Sequence, residues 1–333
     1  MSYLNQLKNR VLSVTESSFD DLCLAIFQFQ ASQNPVYREY LSHLRISPAS
    51  VRTVTEIPFL PIEFFKSHEV VSTREPARVV FASSGTTGQI TSRHYVSDPD
   101  FYDAVSEQIF HRFYGPLTDY HILALLPSYL ERNNSSLVHM VRYFAEKTRS
   151  EHSGFYLHNT DELLERMQVL QQTGDRKILL IGVTFALLDL AEAEPAISGD
   201  RLIVMETGGM KGRRREMLRE EVHEILTGAF HVPAIHSEYG MTELLSQGYS
   251  AGEGLFHLPP GMRVILRDVN DPFTYYTDGS VRAGGVNVID LANVDSCCFL
   301  ETKDLANSGP DGSFRILGRF DNSDIRGCNL MVL

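Results

Sequence analysis

The sequence predicts an α/β fold of mainly parallel sheets covered by helices, with a β-rich lobe toward its C-terminal end. Two observations carry that prediction. From about residue 78 short apolar runs alternate with helical stretches, and strand–helix alternation builds a helix-covered, mainly parallel sheet. From about residue 256 the helical stretches stop, and short runs separated by Asp278-Gly279 and Asp311-Gly312 read as strands joined by hairpins. The expected division is an α/β core over 1–255, with a helical N-terminal segment over 1–75, and a β-rich lobe over 256–333 ending in a mobile tail.

Taken in order, Phe19, Leu22, Cys23, Ile26 and Phe27 recur at helical spacing behind Ser17 and Ser18, with Asp20 and Asp21 in the first turn. Val79-Val80-Phe81 is a strand that ends in a Ser/Gly/Thr loop, and Asp98-Pro99 opens a helix. Further strands are expected at 122–126, 177–183, 202–205 and 232–236. Helices are expected over 135–147, up to 194, and over 213–226, with Met241 opening another. In the lobe, 264–266, 280–289, 298–302 and 314–317 read as strands.

The chain has 333 residues, 43% of them hydrophobic, which is ample for a buried core. A net charge of −12 argues against non-specific nucleic-acid binding, and Arg213-Arg214-Arg215 sits among Glu216, Glu220 and Glu221 as a solvated face. The first residues lack the pattern of a signal peptide, and no apolar run reaches the roughly 20 residues of a membrane span. Four cysteines without a Cys-x-x-Cys pair make no disulfide framework, so the expectation is a cytoplasmic protein with reduced thiols. His231 and His236 lack a third ligand at useful spacing, so the histidines carry no metal signature.

The chemistry lies in four runs. Ser83, Ser84, Gly85, Thr86, Thr87 and Gly88 follow a strand and offer hydroxyls, backbone N–H groups and close backbone approach, the makings of a phosphate cradle. The run is not a Walker loop, and taken alone it is equally an ordinary turn. Tyr239-Gly240-Met241-Thr242-Glu243 offers a ring to stack on a base, a hydroxyl for a phosphate and a carboxylate for Mg²⁺; its bland alternative is a capped helix start. Thr302-Lys303-Asp304 ends a strand with a carboxylate able to accept both ribose hydroxyls. Gly318-Arg319-Phe320-Asp321 follows a hairpin. For Asp304 or Arg319 alone a surface salt bridge is the simpler account.

In this order the four runs resemble the motif set of the adenylate-forming superfamily, which includes acyl-CoA synthetases, luciferases and phenylacetate-CoA ligases. The resemblance covers the chain from about residue 55 onward. Gly208 and Gly209 look like that family's adenine-side glycine loop. Within the superfamily the chain is most similar to the acyl-protein synthetases of bacterial luminescence. That likeness rests on Leu126-Pro127-Ser128, the run from Glu206 to Gly212, the run from His236 to Glu243, and Arg326-Gly327-Cys328-Asn329-Leu330.

The resemblance implies the fold of the large N-terminal domain of these enzymes, with ATP and Mg²⁺ as cofactors and Glu243 as the metal ligand. It also implies a fatty or other carboxylic acid as substrate, activated as acyl-AMP, and transfer of the acyl group to a cysteine, with an acyl-accepting reductase as partner. Gln89-Ile90-Thr91-Ser92-Arg93 stands where many relatives carry a lysine after the phosphate loop, and Lys303 where many carry glycine. With only a few residues after Asp321, the small C-terminal domain with its catalytic lysine is expected to be absent. Lys211 and Arg319 are the candidate substitutes, Lys211 being as readily an exposed loop lysine.

Cys23 falls on an apolar helix face, and Cys297 and Cys298 lie in predicted strand. Cys328 follows Gly327 and neighbours Arg326, whose charge favours a thiolate; a packed cysteine is the alternative. Cys328 is the expected acyl carrier, on the resemblance more than on physics. Two rival readings share the nucleotide motifs: an acyl- or aryl-CoA ligase, and a nucleotide- or acyl-binding protein without turnover.

Overall fold

The computed structural model describes residues 2–83, 90–126, 134–156, 159–193, 195, 197, 199–208, 215, 217–276 and 283–319. In chain order the helices are α1 (Tyr3–Leu12), α2 (Phe19–Gln33), α3 (Pro35–His43), α4 (Phe64–Ser67), α5 (Pro99–Tyr114), α6 (Ser136–Lys147), α7 (Thr160–Thr173), α8 (Thr184–Ala191) and α9 (Arg219–Phe230). The strands begin with β1 (Leu60–Pro61), β2 (Val79–Ala82), β3 (Arg93–Val96), β4 (Tyr120–Leu125), β5 (Gly154–Tyr156), β6 (Lys177–Gly182) and β7 (Leu202–Glu206). They continue with β8 (His236–Tyr239), β9 (Gly248–Ser250), β10 (Met262–Arg267), β11 (Tyr275–Tyr276), β12 (Ala283–Asp290), β13 (Phe299–Ser308) and β14 (Phe314–Arg319).

The chain divides into two compact units, one of residues 1–74 with 260–333, the other of residues 75–259. This differs from the expected division, which put the N-terminal helices with the α/β core. The reason is side-chain chemistry. Gln30 of α2 donates to the carbonyls of Asn293, Val294 and Ser296, and its Oε1 accepts from the Cys298 N–H at 2.9 Å. Lys8 of α1 pairs with Asp295 at 2.7 Å in a buried ion pair. Phe27 and Tyr37 pack on Phe299 at ring separations of 5.9 and 6.1 Å. Those groups lie in the turn before β13 and at its start, so α1–α3 bury their apolar faces there.

The sheet of the first unit runs β1-β13-β12-β10-β11, with β14 paired to β13. Its strands are antiparallel apart from β1 with β13, and the register places Asp304 opposite Arg319. Thr302-Lys303-Asp304, expected at a strand end, lies inside β13. The strand runs on because β14 returns alongside Asp304 to Ser308 after a turn in which Asp311 and Gly312 take φ of 60° and 73°.

The second unit is built on the sheet β5-β4-β6-β7-β8-β9, parallel except for β9. Ile178, Leu179, Leu180 and Ile181 are all buried, as a parallel strand covered on both faces requires. The strand expected at 79–81 is not part of this sheet. It pairs with β3 in a separate two-stranded hairpin, which the sequence reading had missed. Tyr239-Gly240-Met241-Thr242-Glu243 opens no helix: a turn closed by Leu244 N–H to Met241 O reverses the chain so that β9 pairs antiparallel with β8. Among the described residues no helix is long and apolar enough to cross a membrane.

Candidate active site

Parallel strands deliver their following loops to one edge of the sheet, and in open α/β sheets ligands gather at the carboxyl ends. In the second unit a cleft lies at that edge. Ser135 and Ser136 reach it from beyond β4, Thr207 from the end of β7, and Glu238, Gly240, Thr242 and Gln247 from β8 and the loop behind it.

The end of β7 is fixed by Glu206. Its carboxylate accepts from Thr184 Oγ1 at 3.1 Å and from the Gly208 N–H at 2.6 Å, and lies 3.7 Å from His223 of α9. Gly208 has φ of +76°, the left-handed region that glycine tolerates, so the chain can turn back onto that carboxylate. Burial by itself would raise the Glu206 pKa. Hydrogen bonds from His223, Ser237 and the Gly208 amide, with the charge of Arg219, outweigh it and bring the carboxyl to about 2. Glu238, one strand over, is pushed the other way, up to about 8, by burial and then by the negative charge of Glu206.

Tyr239 is buried and tilted against Phe256 at 5.7 Å, with the Arg219 guanidinium over the Phe256 ring at 4.9 Å. Thr242 lines the cleft, and its carbonyl accepts from His94 at 2.9 Å. A carbonyl only accepts, so His94 carries its proton on Nδ1. Burial lowers the His94 pKa to about 4, against the opposing pull of that hydrogen bond, so the ring is neutral. Glu243 is buried at 6% exposure. Among the described residues no group of three or more potential metal-ligating side chains exists, and Glu243 is the carboxylate of the motif loop itself. That suits Mg²⁺ carried in on a nucleotide, which takes one or two carboxylates and fills its remaining positions with phosphate and water.

Of the phosphate-loop residues, Ser83 is described. Its N–H donates to Ser92 O at 3.1 Å and its hydroxyl accepts from Ser92 N–H at 3.0 Å, closing the base of the loop between β2 and β3. Ser84, Gly85, Thr86, Thr87 and Gly88 lie outside the described residues, as do Gly209, Lys211 and Cys328.

In the first unit, Asp304 is nearly buried, and its Oδ1 accepts an ion pair from Arg319 Nε at 3.3 Å. The Arg319 side chain is 71% exposed, which is the surface pairing that the sequence left open as the simpler account. Beneath them Arg267 is buried, donating to Thr302 O at 2.7 Å and Asn287 Oδ1 at 2.9 Å. The described cysteines are all buried: burial pushes Cys23 and Cys297 up to about 12 and raises Cys298 well above the usual thiol range.

Sequence reasoning missed Glu206, Glu238, His94 and Gln247 as site residues. The first two lie at or next to the end of a strand just ahead of a glycine, a position that by itself reads as solvated.

No protein-family model matches the chain, and no curated protein matches it. Solved structures do. ATP-bound MatB from Rhodopseudomonas palustris superposes over 72% of this chain and 47% of its own at 18% identity and a TM-score of 0.49. The o-succinylbenzoate coenzyme A synthetase of Bacillus subtilis, in complex with AMP, covers 76% of this chain and 51% of its own, at 16% identity and 0.52. A long-chain-fatty-acid-CoA ligase from Archaeoglobus fulgidus covers 75% and 52%, at 13% identity and 0.50. The chain spans about half the length of these structures. On the second and third of them, it has the mixed α/β fold of the large N-terminal domain of adenylate-forming enzymes.

Proposed function

We propose that the protein activates a carboxylic acid with ATP and passes the acyl group to a thiol. The observation that carries this is the cleft at the carboxyl ends of the parallel strands, where His94 of the β2–β3 hairpin is hydrogen-bonded to the Thr242 carbonyl of the motif loop. That bond ties the hairpin bearing the Ser83–Gly88 loop to the loop bearing Thr242 and Glu243.

In the first half-reaction a carboxylate oxygen of the acid attacks the α-phosphorus of ATP, and pyrophosphate leaves. In the second a thiolate attacks the carbonyl carbon of acyl-AMP, and AMP leaves. The chain's part is to position the reactants and stabilise charge. The Ser83–Gly88 loop is assigned to the phosphates, Thr242 to the reacting phosphate, Gly208 and Tyr239 to the base side, and Asp304 to ribose. Glu243 would hold Mg²⁺, whose chemistry is to neutralise phosphate charge.

For the acceptor, the resemblance to acyl-protein synthetases favours Cys328, with a reductase as the partner that next receives the acyl group. The coenzyme A synthetase and the CoA ligase among the structural neighbours favour coenzyme A instead. The first test is isotope exchange of pyrophosphate into ATP with a panel of carboxylic acids. Acid-dependent exchange is expected. Nucleotide binding without exchange for any acid would leave the chain a binding protein.

A further inference from the structure

Gln247 is buried, at 3% exposure, in the wall of the cleft. Its Nε2 donates to the Leu245 carbonyl at 3.3 Å. Because that carbonyl can only accept, the amide orientation is fixed, and Oε1 is left as a buried acceptor with no hydrogen-bond partner among the described residues. An orphaned buried acceptor is destabilising, so it calls for a donor that the described residues do not supply.

Glu238 converges on the same place. A Cβ added at residue 240 would meet Glu238 Oε1 at 2.2 Å and Gln247 Cγ at 3.7 Å. Only glycine at 240 therefore leaves room for the carboxyl, and the two side chains flank Gly240 where it opens to the cleft. Glu238 is shifted to about 8 by burial and by Glu206, so at neutral pH it presents an O–H. The Glu238 carboxyl and the Gln247 side chain thus both lie beside Gly240 in the cleft wall, two residues from Thr242.

We propose that Glu238 and Gln247 form a polar subsite that selects an acid carrying a hydroxyl within a few carbons of its carboxyl group. The hydroxyl donates to Gln247 Oε1 and accepts from the Glu238 carboxyl. An unsubstituted fatty acid would leave both groups unpaired when it displaced water from them. An ammonium group would need Glu238 ionised beside the Glu206 carboxylate. The inference deepens the acid-activating function and rests on it.

The experiment compares matched acids in pyrophosphate exchange on the full chain: 3-hydroxybutyrate with butyrate and 3-aminobutyrate, and 3-hydroxydecanoate with decanoate. The expected result is a kcat/KM at least about tenfold higher for the hydroxy acid in each pair, the scale of discrimination open to a site that hydrogen-bonds a hydroxyl. In Gln247→Leu, and in the volume-matched Gln247→Met should the first not fold, that ratio should fall toward one. Robust exchange without preference, or with preference for the plain or amino acid, overturns the subsite while leaving acid activation standing. If no acid supports exchange, acid activation itself fails. The subsite is then judged by binding: 3-hydroxybutyrate must raise the Tm of the wild type and not of Gln247→Met, and equal shifts overturn it.

Discussion

Glu206 and Glu238 sit on adjacent strands with their pKa values driven apart, about 2 and about 8. The linkage has opposite signs for the two. From about 4.5 to 8 the folded chain keeps a proton on Glu238 that the unfolded chain has lost, so stability falls as pH rises, by up to ~1.4 kcal/mol per pH unit. The Glu206 contribution is present above about 4.5 and is lost as pH falls toward 2. Glu238→Gln should therefore flatten the decline of Tm between pH 5 and pH 8, and an unchanged slope in thermal unfolding would count against the assignment. Asp304→Ala should weaken ATP binding by about 2 kcal/mol, the scale of hydrogen bonds to a charged group, as read by calorimetry on the folded mutant. Glu206 was not legible as a buried carboxyl, nor Glu238 as a half-buried one. A glutamate at a strand end reads as solvated, and its burial is produced by α9, β9 and the motif loop, which come from elsewhere in the sequence.

At the scale of elements the apolar strands were the legible part. Runs such as Ile178-Leu179-Leu180-Ile181 announce a buried parallel strand, and Asp98-Pro99 does open α5, with Asp98 capping the Phe101 N–H. The β2–β3 hairpin was half missed, because Arg93-His94-Tyr95-Val96 is short and mixed. It is a strand through its pairing with Val79–Ala82. The motif loop was misread because Thr242-Glu243 after a strand imitates a helix start, whereas antiparallel β9 demands a reversal. His94 ties the hairpin to the motif loop by donating to the Thr242 carbonyl. His94→Phe keeps an aromatic ring but removes that donor, at a cost of about 1–3 kcal/mol for the stranded carbonyl. The expected outcome is a lower Tm and a raised KM for ATP in pyrophosphate exchange; an unaltered KM would separate the hairpin from the motif loop. Glu243→Gln should keep the fold and depress exchange, because the carboxylate meant for Mg²⁺ is gone. Unaltered acid-dependent exchange would remove Glu243 from the metal.

For the whole molecule the proposed function requires a destination for the acyl group, and the thiols narrow the choice. Cys23 packs inside α2, and Cys297 and Cys298 are enclosed just before β13, where Cys298 N–H is held by Gln30. Burial keeps all three protonated at neutral pH, and a protonated, enclosed thiol is a poor nucleophile. An acyl-AMP would therefore have to be discharged by Cys328, whose neighbour Arg326 favours a thiolate, or by a thiol brought in from outside. The experiment supplies labelled acid and ATP without coenzyme A. Under the acyl-protein reading the wild-type chain acquires a hydroxylamine-sensitive label. Cys328→Ser then abolishes the label while pyrophosphate exchange persists, because exchange needs only the first half-reaction. Label that survives in Cys328→Ser would mean that one of the buried cysteines opens to the acyl-adenylate, and a protection assay with a thiol-alkylating reagent would identify it. An unlabelled wild type that makes acyl-CoA rapidly once coenzyme A is added would give the second half-reaction to the small-molecule thiol, and the same cleft would then serve a ligase that releases its product.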